Sequence, residues 1–346
     1  MSKFIVGSQN LAEHDSVYIA DESGILAAVN NLVKPGYVCK SQDAKYLYAI
    51  VKDNPEELNN VNGGVAALEL DAENNKLELI NIKSTQGLGP THLYYSEEFN
   101  IIITANYSGS SISLFAVNQD GSIDKEIDFH KHIGSGPNLK RQEAAHPHFV
   151  GTSQEYNLFY VVDLGMDRLL AYRYDETSRK LYNEQDKDIL IPAGKGPRHY
   201  LMHPEKKNIF FVLCELSSEI VVVDCNVPKG EPLQVISMLP DNLLAESSAA
   251  AIRISPDKKF VYASNRGFDS IAVYEINEEQ LKLLQIYELG IGQEHPRDLN
   301  VSQDELIVAN MHSDSVQILS RDKISGKIIG EKTVLEISKP SCIELL

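Results

Sequence analysis

The chain has 346 residues and carries 49 acidic against 32 basic side chains, which gives a net charge of −17. This acidic balance argues against nucleic acids and anionic membranes as partners, because both require a basic face. No stretch approaches the roughly 18 consecutive apolar residues that a membrane helix needs, and the start MSKFIVGSQN lacks a signal-like apolar segment. The four cysteines show no metal-ligand spacing, so we expect reduced thiols and a cytoplasmic protein.

One sequence pattern recurs along the chain: a short marker, a strand, a polar turn, a strand, one polar residue, a second turn and a third strand. The markers, in chain order, are Pro35, Pro90, Pro147, Pro197, Ala250, Pro296 and Pro340. They recur at intervals of 44 to 57 residues, a period typical of propeller blades. The pattern therefore predicts an all-β, seven-bladed β-propeller with four-stranded antiparallel blades, formed by residues 1–346 as a single domain.

The two ends of the chain are predicted to share a blade. After Pro340 there is room for only one strand, whereas residues 3–10, 16–21 and 25–30 have the composition of a second, third and fourth strand. Pairing the N-terminal strands with the C-terminal strand closes the ring and removes its open edges. We therefore expect truncation at either end to unfold the protein. The longest irregular stretches, 54–64 and 122–143, are predicted to be insertions on one face.

Aligning the repeats on their second strand gives two columns of polar residues. The first contains Asn106, Asp163, Glu215, Asn265 and Asn310, and the second, four residues later, contains Ser110, Asp167, Glu219, Asp269 and Asp314. The second column is typical of turn residues that bond nearby backbone N–H groups. In most blades the first column can do the same. Glu215 differs from the other members of the first column, which are Asn or Asp, because its carboxylate side chain is longer. Arg266, one residue after the column, is a cation at the end of its strand, where the other blades have uncharged residues.

The markers of three blades also carry cations that the proline does not require. His146 and His148 flank Pro147, while Arg198 and Arg297 each follow a marker proline. The residues His148, Arg198, Arg266 and Arg297 come from four blades and are predicted to face one funnel, where with Glu215 they suit acid–base chemistry on an anionic substrate. Hydrogen bonds between blades are the alternative role. His146 and His148, two residues apart, are expected to point the same way, but no carboxylate cluster accompanies them, so no metal site is predicted.

The motifs GSGPNLKRQEAAHPH, VVDLGMDRLLAYRYD, GKGPRHYLMHP, CELSS and YASNRGFDSIAVY together resemble the seven-bladed propeller lactonases, a family that contains bacterial 6-phosphogluconolactonases and a fungal carboxy-muconate cyclase. The resemblance implies hydrolysis of 6-phospho-D-glucono-1,5-lactone in the pentose phosphate route, without metal or cofactor. Carried over by motif, the catalytic set is His148, Arg198, Glu215 and Arg266, with either Glu215 or His148 as the base. The residues His146, Arg297, Asp163 and Asn106 are added as candidate substrate contacts.

Three other functions remain open at this point. A muconate-type lactone cycloisomerase or another lactonase would use the same arginines on a carboxylate. A non-enzymatic interaction propeller is the second, although the absence of Trp excludes the WD type. A calcium-dependent lactonase would need the oxygens of the first column, beside which Arg266 would repel a cation. The expected partner is a small phosphorylated sugar lactone, and the expected state is a monomer or a weak homodimer.

Overall fold

The computed structural model describes residues 2–52, 63–241, 243 and 246–346, and strands dominate all of these ranges. Most of the predicted insertion at 54–64 lies outside the described residues, and its last residue, Gly64, begins a strand. Within the described ranges no helix is long and apolar enough to cross a membrane.

The first part of the chain supplies sixteen strands and two short 3₁₀ turns. In chain order these are β1 (Phe4–Ser8), β2 (Val17–Asp21), β3 (Gly24–Val29), β4 (Val38–Lys40), β5 (Tyr46–Val51), β6 (Gly64–Asp71), β7 (Lys76–Ser84), β8 (Pro90–Ser96), β9 (Ile101–Asn106), β10 (Ser111–Val117), β11 (Ile123–Lys131), β12 (Pro147–Ser153), η1 (Gln154–Tyr156), β13 (Leu158–Asp163), β14 (Arg168–Asp175), β15 (Lys180–Asn183), η2 (Gln185–Lys187) and β16 (Ile189–Leu190).

The remainder of the chain continues in the same way. It contributes β17 (Pro197–Met202), β18 (Ile209–Cys214), β19 (Glu219–Asp224), β20 (Gln234–Ser237), β21 (Ser248–Ile254), β22 (Phe260–Arg266), β23 (Ser270–Asn277), β24 (Gln280–Glu288), β25 (Pro296–Val301), β26 (Glu305–Asn310), η3 (Met311–Ser313), β27 (Ser315–Arg321), β28 (Ile328–Glu336) and β29 (Pro340–Leu345).

The strands form seven antiparallel sheets. Six of them take four consecutive strands each, from β4–β7 to β25–β28, and β16 adds to the sheet of β12–β15 by pairing with β14. The seventh has the order β29-β1-β2-β3, with Phe4 opposite Leu345 and Gly7 opposite Cys342. The predicted seven-bladed propeller and its closure by both chain ends are confirmed.

The apolar core lies between adjacent blades. The middle strands read as continuous apolar runs, such as Ile209–Cys214, and are buried along their whole length because neighbouring blades cover both faces. Tyr160 and Val162 of one blade pack with Phe210 and Val212 of the next in a single apolar cluster. Each blade is therefore held by its two neighbours, which makes ring closure a condition for stability.

The predicted insertion at 122–143 is wrong over its first half. Ile123–Lys131 forms β11, the outermost strand of its blade, and only residues 132–146 lie outside regular strands before β12. An outermost strand is covered on its inner side only, so its sequence IDKEIDFHK is rich in charge and resembles a loop. The irregular segment that follows carries a residue of the candidate site.

Candidate active site

The innermost strands carry β-bulges at the residue that follows the marker proline. Across β12 and β13, Pro147 pairs with Asp163 and Phe149 pairs with Val162, so His148 is the extra residue of the bulge. The same register shift occurs at Thr91, Arg198 and Arg297. A bulge interrupts the alternation of side chains and redirects one of them. The cations that sequence analysis noticed after the prolines are thus the residues that the bulges redirect.

The pairing of β17 with β18 corrects the predicted alignment of the columns. Pro197 lies opposite Cys214, just as Pro147 lies opposite Asp163 in the preceding blade. Cys214 therefore occupies the Asn/Asp column, and the placement of Glu215 in that column is wrong by one residue. The next column along the chain contains Tyr107, Leu164, Glu215, Arg266 and Met311. The polar pattern alone skipped Cys214, because its side chain is packed among apolar residues.

The turn column needs the same correction. The residues that adopt the left-handed conformation after the second strand are Ser110, Asp167, Ser218, Asp269 and Asp314, with φ between 46° and 51°. Ser218, not the predicted Glu219, fills this place in its blade. Asp and Ser tolerate this conformation and bond nearby N–H groups, so the structural role predicted for the column stands with this exchange.

A cavity of about 410 Å³ lies where the bulge residues and the second column meet. Four predicted site residues line it, namely His148, Glu215, Arg266 and Arg297. Arg198 lies just behind this wall, is 3 % exposed and contacts Glu215. The structure therefore brings together the four residues predicted as catalytic and the predicted substrate contact Arg297.

Glu215 is held by three arginines that come from separate parts of the chain. Its Oε1 lies 2.5 Å from Arg141 Nη2, and its Oε2 lies 3.0 Å from Arg198 Nε and 3.1 Å from Arg266 Nη2. Arg266 Nη2 also donates to the Ala249 carbonyl at 2.9 Å. A buried carboxylate is stable only when it is paired in this way. The ion pairs fix the guanidinium groups and leave an excess of positive charge around the cavity.

The pKa values of Glu215 and His148 both lie below their ordinary ranges, for different reasons. Burial alone would raise the pKa of Glu215, but the charges of Arg266, Arg198 and Arg141 outweigh it and hold that pKa far below its usual value. Burial, with the charge of Arg198, lowers the pKa of His148 well below 6.5. Glu215 is therefore ionised and His148 is neutral at physiological pH. His148 Nδ1 is buried and has no hydrogen-bond partner among the described residues.

Burial and a neighbouring cation lower the proton affinity of two arginines at the site. Burial and the charge of Arg266 lower the pKa of Arg198 to about 9, and the same two causes lower the pKa of Arg297 to about 10. These directions express the energetic cost of placing several cations close together in a buried site. The cavity is thus arranged to receive an anion, in a chain whose net charge is strongly negative.

Asn106 and Asp163, predicted as substrate contacts, are buried in bonds within the fold. Asn106 Nδ2 donates to Ser111 Oγ and Ser113 Oγ. Asp163 Oδ1 accepts the backbone N–H of His146 at 2.7 Å, and Asp163 Oδ2 lies 2.8 Å from His132 Nδ1. These side chains support turns and blade contacts and do not line the cavity. In the described ranges, no group of three His, Cys, Asp or Glu side chains converges as metal ligands would.

His146 and His148 both lie against the Tyr107 ring, but only His148 lines the cavity. His146 precedes β12, while His148 lies in its bulge. The His146 ring stacks on Tyr107 at 4.4 Å, with its Nδ1 3.1 Å from the Tyr107 carbonyl oxygen and its Nε2 3.1 Å from Glu143 Oε1. Both ring nitrogens of His146 are thus occupied, and its role is to support Tyr107 at the edge of the cavity.

Among the residues that line the cavity, sequence reasoning missed the cations Lys52 and Arg141 and the ring of Tyr107. Arg141 lies in the segment 132–146, which Gln142 anchors by donating from Nε2 to the Leu164 carbonyl at 2.9 Å. By the strand bounds of the described residues, no other blade has so long a segment before its innermost strand, so repeat comparison could not identify it. Two adjacent cations in NLKRQE, within an acidic chain, were the available indication.

The closed ring carries a basic cavity lined by residues of several blades, which makes this cavity the candidate small-molecule site of the propeller. The family described as "Lactonase, 7-bladed beta-propeller" matches residues 15–345. The chain therefore belongs to the seven-bladed β-propeller lactonase family, and lactone hydrolysis is the activity that this membership supports.

Two relatives and one solved structure illustrate the similarity. A 6-phosphogluconolactonase of Bacillus subtilis is 32% identical over 319 residues, which are 91% of this chain and 88% of the relative. A 6-phosphogluconolactonase of Formosa agariphila is 30% identical over 315 residues, covering 89% and 87%. The crystal structure of a putative 6-phosphogluconolactonase from Bacteroides fragilis superposes with a TM-score of 0.88 at 25% identity, covering 100% of this chain and 98% of the other.

Proposed function

We propose that this protein hydrolyses 6-phospho-D-glucono-1,5-lactone to 6-phosphogluconate, a step of the pentose phosphate route. The observation that carries the proposal is the buried Glu215 among Arg141, Arg198 and Arg266, with His148 in the same cavity. The names of the two relatives support the substrate. A cavity of about 410 Å³ falls within the roughly 300–1,000 Å³ usual for small-molecule sites.

The reaction needs one activated water and one stabilised oxyanion. Water attacks the lactone carbonyl carbon and loses a proton to a base. The resulting tetrahedral oxyanion then collapses, the bond from that carbon to the ring oxygen breaks, and the ring oxygen takes the proton back. We assign the oxyanion to Arg266, which lines the cavity, and give Arg198, behind the wall, the role of adding positive charge; Glu215 fixes both guanidinium groups. Preorganised donors of this kind stabilise a developing charge without reorganisation.

We assign the base to His148 and leave Glu215 ionised throughout. Protonating Glu215 would neutralise the carboxylate on which three arginines depend, and its depressed pKa makes it a poor proton acceptor. His148 is neutral and can accept a proton at once. An anionic substrate offsets part of the arginine field that lowers the pKa of His148, so binding itself strengthens the base.

A small anionic substrate would be attracted by the cations of the cavity, against the field of a chain whose net charge is −17. The expectations of a cytoplasmic location, of a monomer or weak homodimer, and of no nucleic-acid or membrane partner belong to this proposal. Side chains around the cavity supply every group that the proposed reaction requires, so the proposed chemistry uses no cofactor.

Turnover of freshly prepared 6-phosphogluconolactone, coupled to 6-phosphogluconate dehydrogenase in EDTA, tests the proposal once spontaneous hydrolysis is subtracted. Wild type is compared with Glu215→Gln and with the matched change Glu176→Gln, at an exposed turn. We expect rapid hydrolysis in wild type and in the control, and a loss of about 10²–10³-fold in Glu215→Gln.

Two outcomes would overturn parts of the proposal. A wild-type rate no higher than the spontaneous rate rejects the phosphorylated lactone as substrate, and turnover of a carboxylated muconolactone in the same preparation would assign the cycloisomerase-type chemistry instead. Full activity in Glu215→Gln rejects the site while leaving the substrate in place.

A further inference from the structure

The cavity continues into a second lobe on the side of Arg297. This lobe has a volume of about 490 Å³ and shares Arg297 and Lys52 with the first. Lys339 and His312 also line it. None of the three arginines that bind Glu215 lines this second lobe. The two lobes therefore present separate sets of cations to a ligand that spans both.

Arg297 differs from the other arginines of the site in its bonding. The guanidinium groups of Arg141, Arg198 and Arg266 each contact Glu215. The Arg297 side chain has no hydrogen bond or ion pair with any described residue, although it lies in the wall of both lobes. The nearest acid along the chain, Asp298, is already bound by Arg253 Nη2 at 2.9 Å and 3.2 Å. A half-buried arginine without an ion-pair partner among the described residues is a binding group for an external anion.

The substrate itself requires two separate anion subsites. In a 6-phosphorylated δ-lactone, the ring oxygen, two carbons and one further oxygen separate the carbonyl carbon from the phosphorus. One guanidinium group therefore cannot serve both the oxyanion and the phosphate. Arg266, which Glu215 fixes, is suited to the oxyanion because its position is preset, and the second lobe offers the remaining cations.

We propose that Arg297, assisted by Lys52 and Lys339, binds the substrate phosphate and gives the enzyme its preference for phosphorylated over unphosphorylated lactones. This inference rests on the proposed function. It differs from that function in assigning recognition, not chemistry, to the second lobe. The bulge at Arg297 in β25 directs this side chain to the boundary between the lobes.

One carboxylate lies in the same lobe and is already engaged. Asp314 Oδ1 accepts the backbone N–H of Lys339 at 2.7 Å and the Ser338 hydroxyl at 3.4 Å. These bonds hold the Asp314 side chain against the turn before β29. The Lys339 ammonium group has no hydrogen bond or ion pair with a described residue. The lobe thus retains positive charge despite the presence of Asp314.

The test compares two substrates and one inert anion. The kcat/KM values for 6-phosphogluconolactone and for unphosphorylated glucono-1,5-lactone are measured in wild type, Arg297→Gln and Arg179→Gln, the last an equal charge change in an exposed turn. Binding of inorganic phosphate to the same three proteins is measured by calorimetry. We expect Arg297→Gln to lower kcat/KM for the phosphorylated lactone by about 10²-fold, and that for the unphosphorylated lactone by less than about three-fold. Lys339→Gln should show the same selectivity with a smaller loss.

The outcomes separate the inference from the proposed function. Equal losses on both substrates in Arg297→Gln, with its thermal unfolding unchanged, would overturn the phosphate assignment while the lactonase proposal stands. If wild type hydrolysed neither lactone, the proposed function would fail, and phosphate binding lost only in Arg297→Gln would still support the subsite. Phosphate binding that is equal in all three proteins rejects the subsite whatever the substrate.

Discussion

Two neighbouring columns of residues at the ends of the second strands have different roles in this propeller, one in the fold and the other at the cavity. The first contains Asn106, Asp163, Cys214, Asn265 and Asn310, and the second, one residue later, contains Tyr107, Leu164, Glu215, Arg266 and Met311. Polar members of the first column bond within the fold, as Asn265 Nδ2 does to the Met238 carbonyl at 3.1 Å. Three members of the second column, Tyr107, Glu215 and Arg266, line the cavity.

The difference arises where the second strand ends. Cys214 is the last residue of β18 and packs within the blade, whereas Glu215 begins the turn that follows and lines the cavity. The repeat keeps the first column nearly uniform because every blade needs its turn. The second column varies from blade to blade, because no common structural demand acts on it. Variation, and not polarity, therefore marks the column that carries the chemistry.

The largest expected effect comes from the second column. Arg266→Met removes a guanidinium group from Glu215 and from the proposed oxyanion, and should lower kcat/KM for the phosphorylated lactone by about 10²–10³-fold. Arg266→Lys keeps the charge without the planar fork and should recover only part of this loss. Steady-state kinetics provide the measurement. Leu164→Met, in the same column of another blade and outside both lobes, is the control, and a comparable loss in that variant would contradict the assignment of the activity to Arg266.

A change in the first column should affect stability and leave activity in place. In Asp163→Asn, one carboxylate oxygen is replaced by an NH₂ group. That group lies either next to the His132 ring or next to the backbone N–H groups that now donate to Asp163, so at least one of these hydrogen bonds is lost. The free energy of unfolding should fall by about 1–3 kcal/mol, as expected for a buried hydrogen-bonding group left without its partner. Denaturant unfolding measures this loss, with Asp186→Asn at an exposed position as control. A kcat/KM reduced as severely as in Arg266→Met would assign Asp163 to the second kind of column.

The ion pairs of Glu215 also predict the response of stability to acid. The folded-state pKa of Glu215 is depressed, so below about pH 4.5 the unfolded state binds a proton that the native state does not. Stability from this group is present above that pH and is lost as the pH falls. The free energy of unfolding of wild type should therefore decline toward acid more steeply than that of Glu215→Gln, by up to about 1.4 kcal/mol per pH unit. Unfolding curves between pH 3 and pH 7 measure the slopes, and parallel slopes would contradict the ion-pair assignment.

Much of this molecule could be predicted from its sequence, because a repeat exposes both the common scaffold and the departures from it. The blade number and the closure by both ends followed from marker spacing. The cations His148, Arg198 and Arg297 were found because they occupy one fixed offset after a proline. The offset is informative because it coincides with a bulge, which the sequence does not display.

What could not be predicted depends on side-chain direction and on unrepeated segments. Glu215 was selected for the wrong reason, since pairing register, and not polarity, defines its column. Asn106 and Asp163 were assigned to the substrate because a polar residue at a strand end can face either the turn or the axis. Arg141 was missed because, by the strand bounds of the described residues, no other blade has so long a segment before its innermost strand.

The smallest expected effect on activity comes from Cys214, the first-column residue that directly precedes Glu215. Cys214 is adjacent to Glu215 and occupies the place that Asn or Asp holds in four other blades, yet its side chain packs with apolar residues such as Val221. Cys214→Ala should lower the free energy of unfolding by about 1 kcal/mol through a small cavity, and should leave kcat/KM within about two-fold of wild type. Cys214→Asn should cost more, about 1–3 kcal/mol, because it buries an amide among apolar neighbours.

Thermal unfolding and lactone hydrolysis, measured on the same preparations of Cys214→Ala and Cys214→Asn, provide this test. If activity fell in proportion to stability in both variants, Glu215 would depend on the packing beneath it and the two columns would not be separable. If only stability fell, the structural role of Cys214 at the end of β18 and the chemical role of Glu215 in the following turn would be separable, although the two residues are adjacent. The arginines around Glu215 favour the second outcome, since they hold its carboxylate directly and independently of Cys214.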